Sequence, residues 1–421
     1  MSITELAASK MGHTPYVEEM KYSAGIYARN CYYPGSKEKL LKAPPETNIS
    51  VAEKTLESGH HSVYDHTHVT LYLEDMPKAL AMTINNEHDY ATSERSGRFT
   101  KFEVTGAAAE LYYKWQTKLQ GVIGREMPEL SPKKIEKLSL ESARYFLPIF
   151  SPITTMVYTC SIRQLNYLYH WMSQFCALAP ASDFERRLQS AFLDFCTELT
   201  LNHKDLLIPG LVDNKLRGLS LCAEWTRLRL LRPPLKNDFT TSTIMLVTGE
   251  ETPVEWGARG YSTNYWGSFA QFAQAQRHRT LHYEITVEDP ALADFYVPPV
   301  LSDELAGEWL EDMEKVRYDY PQGMLVRINE SGRIEDLIQK CQERICGEAQ
   351  LEICAQTLAT VQEYYREAMW NGGRWSNPFV AAALRPYVHT TGCKRVKLSG
   401  HHCAEPCWWI KNGKEIEERI V

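Results

Sequence analysis

One short pattern is written twice in this chain. Arg144-Tyr145-Phe146-Leu147-Pro148 and Arg317-Tyr318-Asp319-Tyr320-Pro321 share an arginine, a tyrosine and a proline at the same spacing. Each copy precedes a long stretch of helical periodicity, so the chain spells one element order in two places. Two domains, or a duplicated unit, is the expectation that such an order raises. The length agrees, because 421 residues exceed one typical domain.

The composition is 44% hydrophobic and 24% charged, ordinary for a globular protein. The formal net charge of −7 gives no strong nucleic-acid signal, since a generally basic surface is missing, although a local basic pocket is allowed. No apolar run reaches the length of a membrane span, and residues 1–15 lack the charged and apolar regions of a signal peptide. The 11 cysteines are scattered and odd in number, which fits reduced thiols and a cytoplasmic location.

Periodicity predicts a helix-rich α+β fold. Helices are expected over 50–58 with Ser50 as cap, 77–84, 106–125, 132–147, 165–175, 184–203, 266–276 and, almost without interruption, 337–370. Strands are expected at 69–73 and 240–247. Leu230-Leu-Arg-Pro-Pro-Leu-Lys is the candidate linker, because paired prolines stop both helix and strand. The expected division is a first repeat over 1–205, a second over 206–388 and a Cys/His-rich tail over 389–421.

Four clusters carry chemistry. Ser93-Glu94-Arg95-Ser96-Gly97-Arg98 has the makings of an anion nest. Gly97 lets the backbone approach a ligand, Ser96 offers a hydroxyl, and Arg98 presents a fork suited to phosphate. The bland alternative is an exposed charged turn in which Glu94 and Arg98 form an i,i+4 helix pair. Arg277-His278-Arg279 follows an amphipathic stretch, and can either grip an anionic ligand or favour a helix C-terminus. His60, His61 and His66 cluster before a strand, where they can bind a ligand, hold a metal or simply cap the strand. Finally, His389, Cys393, Cys403 and Cys407 have a spacing compatible with structural zinc or with free thiols.

The segments 86–99, NEHDYATSERSGRF, and 277–284, RHRTLHYE, are each a partial version of RHRxxSxNExSxRY. That pattern is the signature of the flavin-dependent thymidylate synthases, and the chain resembles a diverged tandem duplication of that family. Ser58-Gly-His60-His61-Ser62 resembles its Gly-His-x-Ser segment. Ser161-Ile-Arg163-Gln-Leu165 resembles Asn-x-Arg-x-Leu, and Glu343-Arg344 with Ala349-Gln350-Leu-Glu352-Ile353 resembles Leu-Arg followed by Ala-Gln-x-Glu-Ile. The resemblance covers about residues 50–200 and 260–365.

The resemblance implies two consequences, one of fold and one of chemistry. In fold, each repeat would hold a mixed or antiparallel sheet among helices. In chemistry, a one-carbon unit from methylenetetrahydrofolate would pass to C5 of a uracil nucleotide, with FAD reduced by NADPH. Glu94, Ser96, Gly97, Arg98 and Arg344 would hold the nucleotide. Arg144, Arg317 and Arg344 would fill the substrate-arginine, catalytic positions. Arg277, His278, Arg279, Arg163 and His60 would contact flavin. Losses are complementary: the Leu-Arg arginine is Met172 in the first repeat, and Arg163 has Glu335 as its counterpart in the second. One composite site shared by the two repeats is therefore expected, in a homodimer of two-repeat chains. The departures leave open dUMP or a ribonucleotide, methylation or hydroxymethylation, and a non-catalytic nucleotide- or flavin-binding relative.

Overall fold

A computed structural model describes residues 1–8, 16–32, 35–87, 90–98, 100–102, 104–212, 243–247, 260–369, 378–388 and 416–421. In chain order they form β1 (Ser2–Ala8), α1 (Tyr16–Tyr32), α2 (Lys37–Leu41), α3 (Pro45–Glu57), β2 (His68–Pro77), α4 (Lys78–Asn86), β3 (Tyr90–Glu94), α5 (Ala107–Glu126), α6 (Pro132–Ala143), β4 (Pro152–Ser161), α7 (Ile162–Cys176) and α8 (Asp183–Asn202). There follow β5 (Thr243–Val247), β6 (Gly260–Ser268), α9 (Phe269–Ala275), β7 (His282–Thr286), α10 (Asp303–Lys315), β8 (Leu325–Arg333), α11 (Ile334–Arg344), α12 (Leu351–Met369) and α13 (Pro378–Val388). The class is helix-rich α+β, as the periodicity predicts, with two antiparallel sheets among the described residues.

The strands pair as β1-β2-β4-β3 and as β5-β6-β8-β7, the same order in each sheet. Each sheet belongs to its own compact unit. Unit 1 holds Met1–Arg95 and Phe150–Gly218, and unit 2 holds Ser96–Ile149 and Leu219–Val421. The units therefore interleave along the chain and do not meet at a single boundary near residue 205. α5 and α6 are written in the first half and fold into the second unit.

In unit 1, alternation places Val69, Leu71 and Leu73 of β2 on one fully buried face, against α4 and its apolar run Ala79–Met82. α1 and α3 approach closely, and a Cβ at Gly25 would stand 1.9 Å from the Asn48 carbonyl oxygen. In unit 2 the aromatic core joins the halves. Trp115 of α5 stacks on Phe146 at 6.0 Å and meets Trp309 of α10 edge-on at 4.9 Å. Asp312, one turn along α10, accepts from the Trp115 indole at 2.7 Å and pairs with Lys114 at 2.5 Å.

The two copies of the Arg-Tyr-x-x-Pro pattern meet. Pro148 and Pro321 face each other in an antiparallel bridge. Three backbone bonds hold them: Ile149 N to Tyr320 O at 3.0 Å, Gln322 N to Leu147 O at 2.9 Å and Gly323 N to Tyr145 O at 2.8 Å. Tyr320 takes the left-handed conformation, φ 54°, which a side chain adopts only at a cost of about 1–2 kcal/mol. Burial of its ring offsets this.

Several sequence expectations need correction. Ser50 lies inside α3, which begins at Pro45, where proline suits the first helical turn. Residues 266–268 belong to β6, and Ser268 caps α9 by accepting from the Gln271 amide. The long helix expected over 337–370 is broken between Arg344 and Leu351, where Gly347 interrupts the helical run. Helix 132–147 ends at Ala143 and tightens into a 3-10 turn over Arg144–Phe146. The linker at 230–236 and the His389, Cys393, Cys403 and Cys407 set lie outside the described residues. Among the described residues no cluster could hold a metal ion and no helix is long and apolar enough to cross a membrane.

Replacing Trp309 by Ala removes the ring shared by α5, the Phe146 turn and α10. Unit 2 is expected to lose about 3–5 kcal/mol, read as a lowered midpoint in urea-induced loss of tryptophan fluorescence.

Candidate active site

Unit 2 gathers arginines from distant parts of the chain. α6 delivers Glu141 on its last turn and Arg144 just beyond it. α9 ends in a turn that presents Arg277 and His278, and α11 ends on Arg344. The loop after β3 brings Arg98, whose NH2 donates to the Glu348 carbonyl at 2.5 Å across 250 positions of sequence. Arg98 Nε also donates to Glu141, a carboxylate that is buried. Gly97 is required here, because a Cβ would lie 2.4 Å from the Phe102 ring.

Arg144 is buried deeper. Its NH2 donates to Gln350 Oε1 at 2.9 Å, and its Nε has no hydrogen-bond partner among the described residues. Burial lowers its pKa from the ordinary arginine value, with nearby Arg98 adding to the effect and Glu141 opposing it. A buried guanidinium with a spare donor suits an anionic or carbonyl-bearing ligand. Beneath it, Glu352 accepts from Ser268 N at 2.7 Å, Ser268 Oγ at 2.6 Å and Tyr145 OH at 2.7 Å. Burial raises the Glu352 pKa, and these donors oppose the shift. A cleft beside this group is lined by Glu141, Tyr145, Gln350, Glu352, Ile420 and Val421.

Arg344 donates through Nε to His278 Nε2 at 2.7 Å and through NH2 to the Gln274 carbonyl at 3.3 Å. Burial lowers the Arg344 pKa; Glu343 and Tyr283 counter this, and Arg98 and Arg277 reinforce it. The charges of Arg98 and Arg277 thus act on Arg344. His278 is held well below the usual histidine range by burial first, then by Arg344 and Lys340. Lys340 is itself fully buried. It pairs with Glu330 at 2.5 Å, and Glu330 accepts from Tyr261 at 2.7 Å and Tyr265 at 2.8 Å.

Not every expected residue joins this cluster. Arg317 is bound by Glu314, by the Pro290 carbonyl and by the Ala293 carbonyl at 2.9 Å, and it lies over the Phe295 ring. None of those partners is shared with Arg98, Arg144 or Arg344, so its placement is that of a brace for the 290–295 turn. Arg279 is exposed. Glu94 lies at the end of β3, which removes the helical i,i+4 alternative, and it pairs with Lys78 at 2.5 Å within unit 1. His60 and Arg163 are also in unit 1. His60 is exposed ahead of a 3-10 turn. Arg163 pairs with Asp65 at 2.8 Å and covers the Tyr167 ring. The buried ring of the histidine cluster is His61, which bonds Tyr167 OH at 2.8 Å and the Leu56 carbonyl at 3.1 Å.

Sequence reasoning missed Glu141, Arg419 and the Lys340–Glu330 pair. A signal for the first existed, because Glu141 stands three residues before Arg144 as Glu314 stands three before Arg317. Arg419 is buried and donates to the carbonyls of Cys346, at 3.1 Å, and Ala349, at 2.9 Å, so it grips the turn that carries Glu348 and Gln350. No short motif announces it.

Lys340→Met is expected to cost about 3–5 kcal/mol, because it strands Glu330 in the interior. Lys340→Met combined with Glu330→Gln removes both charges and is expected to recover much of that loss in thermal unfolding. Equal losses in the single and double variants would show that the pair is not acting as a charge pair.

Residues 15–184 match the model of the family described as Thymidylate synthase complementing protein. The resemblance to the flavin-dependent thymidylate synthases is met over this segment. Among solved structures the chain is similar to a UMP/dUMP methylase PolB from Streptomyces cacaoi bound with 5-Br dUMP, at 14% identity and TM-score 0.31 over 50% of this chain and 92% of that one. It is also similar to Thymidylate Synthase X from Helicobacter pylori with FAD and dUMP, at 18% identity and TM-score 0.30 over 50% of this chain and 99% of that one. No curated protein matches.

Proposed function

We propose, from the thymidylate synthase complementing segment at residues 15–184, that the protein transfers a one-carbon unit from methylenetetrahydrofolate to C5 of a uracil nucleotide. The carrying observation is the convergence of Arg98, Arg144 and Arg344, three matched substrate arginines, in one unit although they come from both halves of the chain. Arg98 with Ser96 would hold the nucleotide phosphate. Arg144, with its unpartnered buried Nε, and Arg344 would stabilise negative charge on the base.

FAD, reduced by NADPH, supplies the hydride when bound. Arg277 and Arg279 would hold it, and the fit is supported by Gln274 Nε2, a buried donor without a partner among the described residues. The arginines need no protonation step, since a guanidinium keeps its charge at neutral pH. Their work is positional and electrostatic.

The same reading makes the halves diverged copies of one ancestral unit. The shared strand order and the meeting of the two Arg-Tyr-x-x-Pro elements support it. It also carries a homodimer of two-repeat chains and zinc on Cys393, Cys403, Cys407 and His389, checked by light scattering and by metal analysis of the purified protein.

A second reading is a non-catalytic nucleotide- or flavin-binding relative; Glu141, which already occupies Arg98, weighs against a working phosphate site there. Tritium release from dUMP labelled at C5 separates the two. With FAD, NADPH and methylenetetrahydrofolate the parent is expected to release tritium, and UMP tests the ribonucleotide option. Arg98→Ala is expected to weaken dUMP binding about ten- to a hundredfold, the worth of lost charge-assisted bonds. Binding of dUMP without tritium release would select the non-catalytic reading.

A further inference from the structure

We infer that His278 is a positioning residue: its Nε2 accepts the Nε–H of Arg344 and fixes that guanidinium for the nucleotide, an inference that rests on the nucleotide-site reading above.

The bond is 2.7 Å long, and the imidazole is only 5% exposed. A guanidinium has donors and no acceptor, so Nε2 must be the bare nitrogen and the ring proton must sit on Nδ1. Nδ1 faces Glu343 Oε2 at 3.8 Å. A second grip comes from the Gln274 carbonyl on Arg344 NH2 at 3.3 Å. Both acceptors belong to the end of α9 and the turn after it, whereas Arg344 ends α11. Arg344 also lies within range of the like charges of Arg98 and Arg277. Without an acceptor at Nε, repulsion from those two and attraction to the adjacent Glu343 would draw the side chain away from the cluster. A histidine in the middle of Arg277-His278-Arg279 thus serves the arginine of α11 and not an outward contact of its own.

Acid pH provides a distinctive readout. Around the ring stand Arg344, Glu343 and Lys340 from α11 and Arg277 from its own turn, with Arg98 and Tyr283 acting on Arg344. A protonated ring cannot accept from Arg344, and it adds a positive charge to this group. Because burial and the flanking cations hold the imidazole well below the ordinary histidine range, the grip is complete at neutral pH. It is lost only as pH falls below that range.

The test uses the full chain, with dUMP as probe. Equilibrium dialysis from neutral to acid pH compares the parent with His278→Ala, His278→Gln and Arg344→Gln. Long-range proton–nitrogen spectra of protein labelled at histidine report the ring proton, and His278 is assigned by its absence in His278→Gln. His278→Ala is expected to weaken dUMP about tenfold. His278→Gln, whose amide oxygen can accept from Nε, should restore most of the affinity and lose the fall that the parent shows in acid. The resonance assigned to His278 should report a ring protonated on Nδ1. If His278→Ala binds like the parent while Arg344→Gln does not, the positioning role is overturned and the nucleotide site survives. If the parent binds no dUMP, the nucleotide reading and this role fail together. A proton on Nε2 at neutral pH would overturn the hydrogen bond itself.

Discussion

Everything in unit 2 hangs on the antiparallel crossing of residues 145–149 with 320–323. Its backbone bonds tie a segment of the first half to one of the second, and Tyr320 bends into a left-handed turn to complete it. Arg144 lies at the edge of this crossing, and the Trp115–Phe146–Trp309 group packs behind it. Tyr145 turns its hydroxyl to Glu352, which in turn caps the start of α9 through Ser268. The crossing, the caps and the candidate site are mechanically one object: the ring of Phe146 that fills the core and the buried guanidinium of Arg144 stand two residues apart.

The polar interior of the unit is costly by ordinary rules. A fully buried lysine and glutamate, Lys340 and Glu330, a second buried glutamate, Glu352, and a buried arginine, Arg144, each lose hydration that a hydrophobic residue would not. The two carboxylates are compensated by geometry, since Glu330 and Glu352 accept from several donors. Such a network defines rotamers as well as charges. That is what an arginine needs if it is to wait beside two others of the same sign.

Much of the fold was legible in the sequence. The helices α5 to α8 follow the 3.6-residue period because one apolar stripe of each meets a core. β8 was not legible, because Asn329, Glu330 and Ser331 break the apolar signal, and Glu330 is buried only because Lys340 and the tyrosines await it. The break of α11 from α12 escaped notice because Ile345 and Cys346 keep the pattern apolar through the turn. In the site, Arg98, Arg144, His278 and Arg344 were readable from motif fragments. Arg317 matched its motif equally well and is placed elsewhere by Glu314 and the 290–295 turn. The motif marks a position, whereas the local carboxylate and turn decide where its side chain goes.

The interleaving also sets a schedule during synthesis. α5 leaves the ribosome with Trp115 and its neighbours facing an interface whose other side is not yet made. Asp312, which accepts from the Trp115 indole, lies 197 positions later. At typical elongation rates that interval is roughly 10–40 s. Through it, the nascent first half must carry an apolar helical hairpin without its partner, so α5 and α6 are the segment on which a holding chaperone would act.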